Sequence, residues 1–177
     1  MRRVHGGAGA PQVFEPKRFT DSRGVFFESW NAQVFTAHGV GHPWVQDNHS
    51  ISHAGVVRGL HFQVRTPQAK LVRVVVGRSW HVVVDLRRGP EFGRWTAVEL
   101  SAACGWQLYV PTGFAHGFCA LEDVQVLYKV SAPWDPDDEG GVRWNDPVLN
   151  IPWPVTAPMI SHKDHALPLL DDAGVLF

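Results

Sequence analysis

The sequence predicts an all-β jelly roll with a few short peripheral helices, and three observations carry that expectation. Short β-branched runs recur along the chain. Clusters of Gly, Pro or Arg break them every ~8–15 positions, and helix-type periodicity is confined to two short stretches. The runs are LVRVVVG (Leu71–Gly77), WHVVVDL (Trp80–Leu86), TAVEL (Thr96–Leu100), WQLYV (Trp106–Val110) and VQVLYKV (Val124–Val130). VVVDL followed by RRGPEFGRW reads as a strand, a Gly/Pro turn and a further strand. WNAQVFTAHG (Trp30–Gly39) holds about two helical turns, with Asn31 as N-cap and Gly39 as stop. SHKDHALPLLDDAG holds one short helix beginning after Ser161. APWDPDDEGGVRWNDP (Ala132–Pro147) is rich in Pro, Asp and Gly and reads as an irregular surface loop.

The chain has 177 residues, 45% hydrophobic and 19% charged, with 17 Gly and 13 Pro, which suits one packed domain spanning residues 1–177. Lys and Arg number 16 against 17 Asp and Glu. A formal net charge of −1 lacks the basic excess of a general nucleic-acid binder. The opening MRRVHGGAGAPQVFEPK has no apolar stretch behind its basic residues, so it does not read as a secretory signal. No run approaches the ~18 apolar residues of a membrane span. Cys104 and Cys119 are too few for a disulfide framework and read as two buried thiols of a reduced cytoplasm. Trp30, Trp95, Trp106 and Trp144 read as packing residues.

Polar chemistry concentrates in VQDNHSISHAGVVRGLHFQ (Val45–Gln63), PQAKLVRV (Pro67–Val74) and PTGFAHGF (Pro111–Phe118). Strand alternation places His61 and Gln63 on one face and Phe62 on the other. A metal site is one reading. Metal-binding cupins carry Gly, five residues, His-x-His, a Glu, and later Pro-x-Gly-x-x-His. Here Gly55, His61 and Pro111–His116 fit, but Gln63 stands in place of the second His, and no Asp or Glu lies between Gln63 and Trp80. Only His61 and His116 remain, short of the three or four ligands such sites need. His5, His38, His42 and His165 read as hydrogen-bonded core or surface histidines.

Metal-free acid–base chemistry is the other reading. A histidine poised near neutrality abstracts a proton when a carboxylate fixes its tautomer. A lysine facing the same cavity stabilises an enolate oxygen, and a tyrosine on the far wall returns a proton. His61, Lys70 and Tyr128 fall on expected strands. Spacing alone leaves the alternative that Lys70 and Tyr128 are edge or surface groups.

Seven blocks in order, FEPKRFTDSRGVFFESW, QDNHSISHAGVVRGLHFQ, PQAKLVRVVVG, ELSA, VPTGFAHGF, LYK and WNDP, resemble the dTDP-4-dehydrorhamnose 3,5-epimerase family over roughly Val13 to Leu170. The resemblance implies a cupin jelly roll, a homodimer with an exchanged N-terminal strand, and no metal or other cofactor. It implies His61 as general base, Asp164 as its paired carboxylate, Tyr128 as general acid and Lys70 beside the 4-keto oxygen. His116 matches a histidine lining the sugar pocket. Arg23, Glu28, Gln46, Asn48 and Arg58 match positions that bind nucleotide, diphosphate or sugar, and Arg23 and Glu28 reach across the dimer in the family. The implied substrate is a dTDP-4-keto-6-deoxyhexose, and the implied setting is cytoplasmic, with neither nucleic-acid nor membrane partner.

Two departures stand out. After LYK many members carry two tyrosines, one stacking on thymine, where this chain reads Val130-Ser131-Ala132-Pro133-Trp134. Trp134 is the candidate replacement. His81 stands where a strand Asp is common in the family. Competing readings are an enzyme epimerising only C3 or only C5, as in antibiotic pathways, a non-catalytic sugar-nucleotide-binding cupin, and a metal-dependent cupin. The second has no need of His61, Asp164 and Tyr128 together, and the third predicts a bound metal.

Overall fold

The computed structural model describes residues 1–173 and Phe177. Thirteen strands run through these residues: β1 (Arg2–His5), β2 (Gln12–Glu15), β3 (Arg18–Asp21), β4 (Gly24–Phe27), β5 (Gln46–Ser52), β6 (Val57–Gln63), β7 (Lys70–Val76), β8 (Arg78–Asp85), β9 (Trp95–Ser101), β10 (Gln107–Val110), β11 (Phe114–Ala120), β12 (Val124–Val130) and β13 (Glu139–Gly141). The helices are α1 (Ala32–Ala37), α2 (His162–His165) and α3 (Leu170–Ala173). Two antiparallel sheets face each other, six-stranded in the order β1-β2-β10-β7-β12-β5 and five-stranded in the order β13-β6-β11-β8-β9. A separate β3-β4 hairpin carries exposed Phe19 and Phe26. The cupin jelly roll expected from the sequence is the architecture found, and each of the five quoted β-branched runs is a strand to within two residues at either end.

Alternation along these strands divides the apolar residues among three cores. Val72, Val74 and Val126 of the larger sheet meet Val83, Phe114 and Phe118 of the smaller one between the layers. Val57, Leu60, Phe62, Val82 and Val84 point out of the back of the smaller sheet, where Val142, Leu149, Ile151, Trp153 and Leu170 cover them. That sheet is therefore buried on both faces, which is why WHVVVDL reads as a continuous apolar run rather than an alternating one. Leu71 and Tyr109 on the outside of the larger sheet pack against Phe35 of α1 and Val40. The α1 helix is capped as its sequence predicts. The Asn31 side chain accepts from the Val34 N–H at 3.2 Å, and Gly39 turns the chain away at φ +81°.

Four expectations need correction. The 132–147 segment is not a free loop, because β13 lies within it and pairs with β6, Glu139 opposite Gln63 and Gly141 opposite His61. Gly140 and Gly141 look like turn residues, yet a Cβ on Gly140 would come within 2.5 Å of the Phe62 ring and one on Gly141 within 2.7 Å of the Leu60 carbonyl. Close approach to β6, rather than looping, demands glycine there. Next to it Asp138 is buried and accepts from the Arg65 and Thr66 N–H groups, each at 2.8 Å, and from the Thr66 hydroxyl at 2.7 Å. The C-terminal stretch holds two short helices rather than one, broken at Pro168. Trp30 is 38% exposed, with the Lys129 ammonium 5.2 Å over its ring, while Trp95, Trp106 and Trp144 do pack against the cores. Cys104 is half-buried, not buried; Cys119 is buried and both are free.

Candidate active site

The inward-facing side chains at one end of the sandwich are polar instead of aliphatic. Along β6 the pattern is set by a bulge. His116 of β11 lies opposite His61, and Phe118 opposite Arg58, so two steps on β11 face three on β6. The extra residue shifts the parity of β6. Val57 points to the outer core, whereas Arg58 and His61, which strict alternation would send to opposite faces, both reach the interior. Gly59 makes the bulge feasible at φ +117°, where a Cβ would lie 2.6 Å from Gly117 Cα.

Two adjoining cavities of about 290 and 320 Å³ open here and share His61, Lys70, Tyr128 and Glu139 in their walls. His61 comes from the smaller sheet, whereas Tyr128 and Lys70 come from adjacent strands of the larger one. The proton-handling candidates thus stand on opposite walls. His61 Nε2 is 2.8 Å from Asp164 Oδ1, and the Gly59 N–H donates to Oδ2 at 3.1 Å. The Ser161 hydroxyl caps α2 by accepting from the Asp164 N–H at 3.0 Å. Burial opposes ionisation of Asp164, but hydrogen bonding and charge from His61, together with Gly59 and Ser161, hold its carboxyl below the usual range.

Lys70 Nζ reaches the His61 carbonyl at 3.3 Å. Burial lowers this ammonium to a pKa of about 8, with the Glu139 charge pulling it back up. Burial, then the Glu139 charge, raises the Tyr128 phenol against a smaller opposing pull from Arg58. It stays protonated and available as a donor through neutral pH. His116 lines the larger cavity and is held well below its usual pKa by burial, then by His81, Lys70 and His61.

Gln46, Asn48 and Trp134 wall the smaller cavity. The Gln46 amide donates to Asn48 Oδ1 at 2.8 Å and accepts from the Trp134 N–H at 3.1 Å. Gln63 binds the same loop, donating to the Pro133 carbonyl at 3.2 Å and accepting from the Asp135 N–H at 3.0 Å. The residue in the position of the cupin's second histidine is thus a staple for the loop that carries Trp134. Among the described residues no three His, Cys, Asp or Glu side chains converge as a metal-ligand set.

Arg58 lines the larger cavity and is oriented by Ser52 Oγ at 2.9 Å. Arg23 and Glu28 do not join either cavity within one chain. Arg23 pairs with Asp21 at 2.7 Å on the exposed hairpin, and Glu28 accepts from Asn31. Sequence reasoning missed Glu139, whose carboxylate accepts from Trp134 Nε1 at 2.9 Å and pairs with Lys163 at 2.5 Å. It lay in the stretch read as a loop. Its partner Lys163 lies in the SHKDHALPLLDDAG stretch. Among the described residues no helix is long and apolar enough to cross a membrane.

Residues 10–172 match the family model for dTDP-4-dehydrorhamnose 3,5-epimerase. A Pseudomonas aeruginosa enzyme of that name is 49% identical over 166 residues, 91% of each chain. The crystal structure of the Bacillus anthracis enzyme with TDP and pyrophosphate bound has a TM-score of 0.92 at 46% identity, covering 95% of this chain and 98% of its own. A Legionella pneumophila epimerase in complex with dTDP-4-keto-L-rhamnose gives 0.91 at 38% identity, with 96% and 93% covered.

Proposed function

Because the chain belongs to the dTDP-4-dehydrorhamnose 3,5-epimerase family, we propose that His61 and Tyr128 exchange protons with opposite faces of a nucleotide-linked keto sugar. The chain is an isomerase that epimerises C3 and C5 of dTDP-4-keto-6-deoxy-D-glucose, giving dTDP-4-keto-L-rhamnose. The observation that carries the reading is the placement of the His61–Asp164 pair on one sheet and of Tyr128 and Lys70 on the facing one.

The 4-keto group acidifies the C–H bonds at C3 and C5, since the carbanion formed delocalises onto oxygen as an enolate. His61 removes the proton, and the imidazolium that results is stabilised by Asp164. The Lys70 ammonium offsets charge on the enolate oxygen, and the Tyr128 O–H returns a proton to the other face of the carbon. Each well-placed acid or base contributes on the order of 10²–10⁴ in rate, and an oxyanion partner about 3–4 kcal/mol of barrier. Arg58 holds the diphosphate end, His116 lines the sugar pocket beside His61 and Lys70, and Gln46, Asn48 and Trp134 hold the nucleotide.

The active form is a homodimer. Its support is the β3-β4 hairpin, where Phe26 is 70% exposed and Arg23 and Glu28 stand clear of their own chain's cavities. Two free cysteines fit a cytoplasmic setting.

The test is solvent exchange in D₂O with dTDP-4-keto-6-deoxy-D-glucose, followed at C3 and C5 by NMR, with His61→Ala as control. Label at both carbons, lost in the variant, is expected. Label at one carbon only would reassign the chain as a mono-epimerase, and none at either would mean a different sugar or a fold kept for binding alone.

A further inference from the structure

We infer that Ser79 and His81 form a buried relay that fixes His116 as a neutral hydrogen-bond donor aimed into the sugar cavity. The inference rests on the reading of that cavity given above for its substrate, but not for its geometry. His81 and Ser79 are fully buried, on β8. His81 Nε2 lies 2.8 Å from Ser79 Oγ, and His81 Nδ1 lies 3.1 Å from His116 Nε2. Phe118 stacks on His81 from the side, its ring 5.3 Å away.

A neutral imidazole has one N–H and one lone pair, so a chain of two histidines and a hydroxyl has two possible polarities. In one, the Ser79 hydroxyl donates to His81 Nε2, His81 Nδ1–H donates to His116 Nε2, and the remaining proton of His116 sits on Nδ1. In the other, every bond is reversed and Nδ1 of His116 is a lone pair. The reversed chain leaves the Ser79 proton with no acceptor, because His81 is the only partner of that hydroxyl among the described residues. A fully buried donor without an acceptor is strongly disfavoured, so the first polarity prevails.

His116 Nδ1 has no protein partner among the described residues, and the ring lines the cavity that holds His61 and Lys70. Its N–H is therefore free for an acceptor on the ligand, and the keto oxygen that becomes the enolate is the acceptor that this chemistry supplies. Neither histidine has a carboxylate as a hydrogen-bond partner among the described residues. Burial accordingly lowers the His81 pKa to about 3 and keeps His116 uncharged beside the Lys70 ammonium. A neutral donor adds to Lys70 without a second buried positive charge. His81 is thus a positioning residue, acting on the sugar only through His116.

The experiment is two-bond ¹H–¹⁵N correlation NMR of the full-length, histidine-labelled protein without ligand, with the two rings assigned from His81→Gln and His116→Gln. Protonated Nδ1 and unprotonated Nε2 on both rings are expected. A His116 ring protonated on Nε2 instead, or on both nitrogens, overturns the relay. In Ser79→Ala the fixed polarity is lost, so His116 becomes a mixture of tautomers and kcat falls by the fraction that loses the Nδ1 proton, roughly 2–10-fold, with KM nearly unchanged. An unaltered tautomer and kcat there count against the proposal. His81→Asp presents an acceptor in place of a donor and forces a proton onto His116 Nε2, and a ring still bare at that nitrogen overturns the inference. The tautomers are read with no sugar present, so they decide the relay even if the wild-type protein fails to exchange label into the sugar. That second failure would count against the epimerase reading alone.

Discussion

The His61 imidazole and the Asp164 carboxylate are 103 residues apart in the chain and 2.8 Å apart in space. One belongs to an inner strand and the other to a single helical turn laid against it, with the Gly59 N–H holding the second carboxylate oxygen. The carboxylate is buried and oriented within the chain itself, so in the proposed reaction an imidazolium at His61 meets a charge that needs no reorganisation.

His61→Ala and Asp164→Asn are each expected to lower kcat by about 10²–10⁴-fold. The double variant is expected to lose little more than the worse single one, because the two residues act as a unit. Steady-state kinetics with exchange into C3 and C5 measures all three, and additive losses would show that the residues work separately.

Lys70 is expected to set the alkaline limit of activity. With burial lowering its pKa from 10.5 to about 8, the ammonium is lost as pH rises through that value, and kcat/KM falls with it. Tyr128 is shifted upward and keeps its proton there. Lys70→Met is expected to remove the alkaline limb and lower kcat by about 10²–10³-fold. Its effect on stability has the opposite sign. Between the folded and unfolded values the unfolded chain binds more protons, so stability rises with pH across that window. Below it the buried ammonium costs the fold about 3 kcal/mol. Lys70→Met should therefore raise Tm at neutral pH, which calorimetry checks.

Gly59→Ala tests the bulge. Its φ of +117° and a Cβ 2.6 Å from Gly117 Cα leave no room for a side chain. The backbone conformation alone costs roughly 1–3 kcal/mol for a non-glycine residue, and the clash adds to it. Lower Tm together with loss of label exchange is expected, since any relief of the clash moves Arg58 and His61. A variant of unchanged Tm and activity would mean that the bulge is dispensable.

Trp134 is half-exposed at the cavity wall, with its indole N–H on Glu139. If it supplies the stacking face for the base, Trp134→Ala raises KM by about tenfold, in the range of one base–aromatic stack, and leaves kcat nearly unchanged. Trp134→Phe, which keeps a π-face, retains most of the affinity. Titration with dTDP alone checks the same loss without chemistry.

Much of the fold was legible because a sandwich core imposes local patterns. VQVLYKV is β12 to the residue, and Asn31 and Gly39 bound α1 as cap and stop. The failures share a cause as well. Gly140 and Gly141 lie in a stretch whose composition reads as a loop, whereas they are small because β6 lies against them. Glu139 was hidden in the same misread stretch. Arg58 sits at a position whose face depends on the bulge, and nothing local distinguishes a bulge glycine from any other glycine in a strand.

By itself, then, the sequence determined most of the element types and the family that its ordered blocks match. Those follow from residue type, period and order along the chain. Only the tertiary structure decided that Asp164 closes on His61, that Glu139 joins the cavity and that His81 is bonded to His116. Each of these is a contact between strands or helices far apart in sequence, fixed by register, burial and one inserted residue, which no periodicity within a segment records.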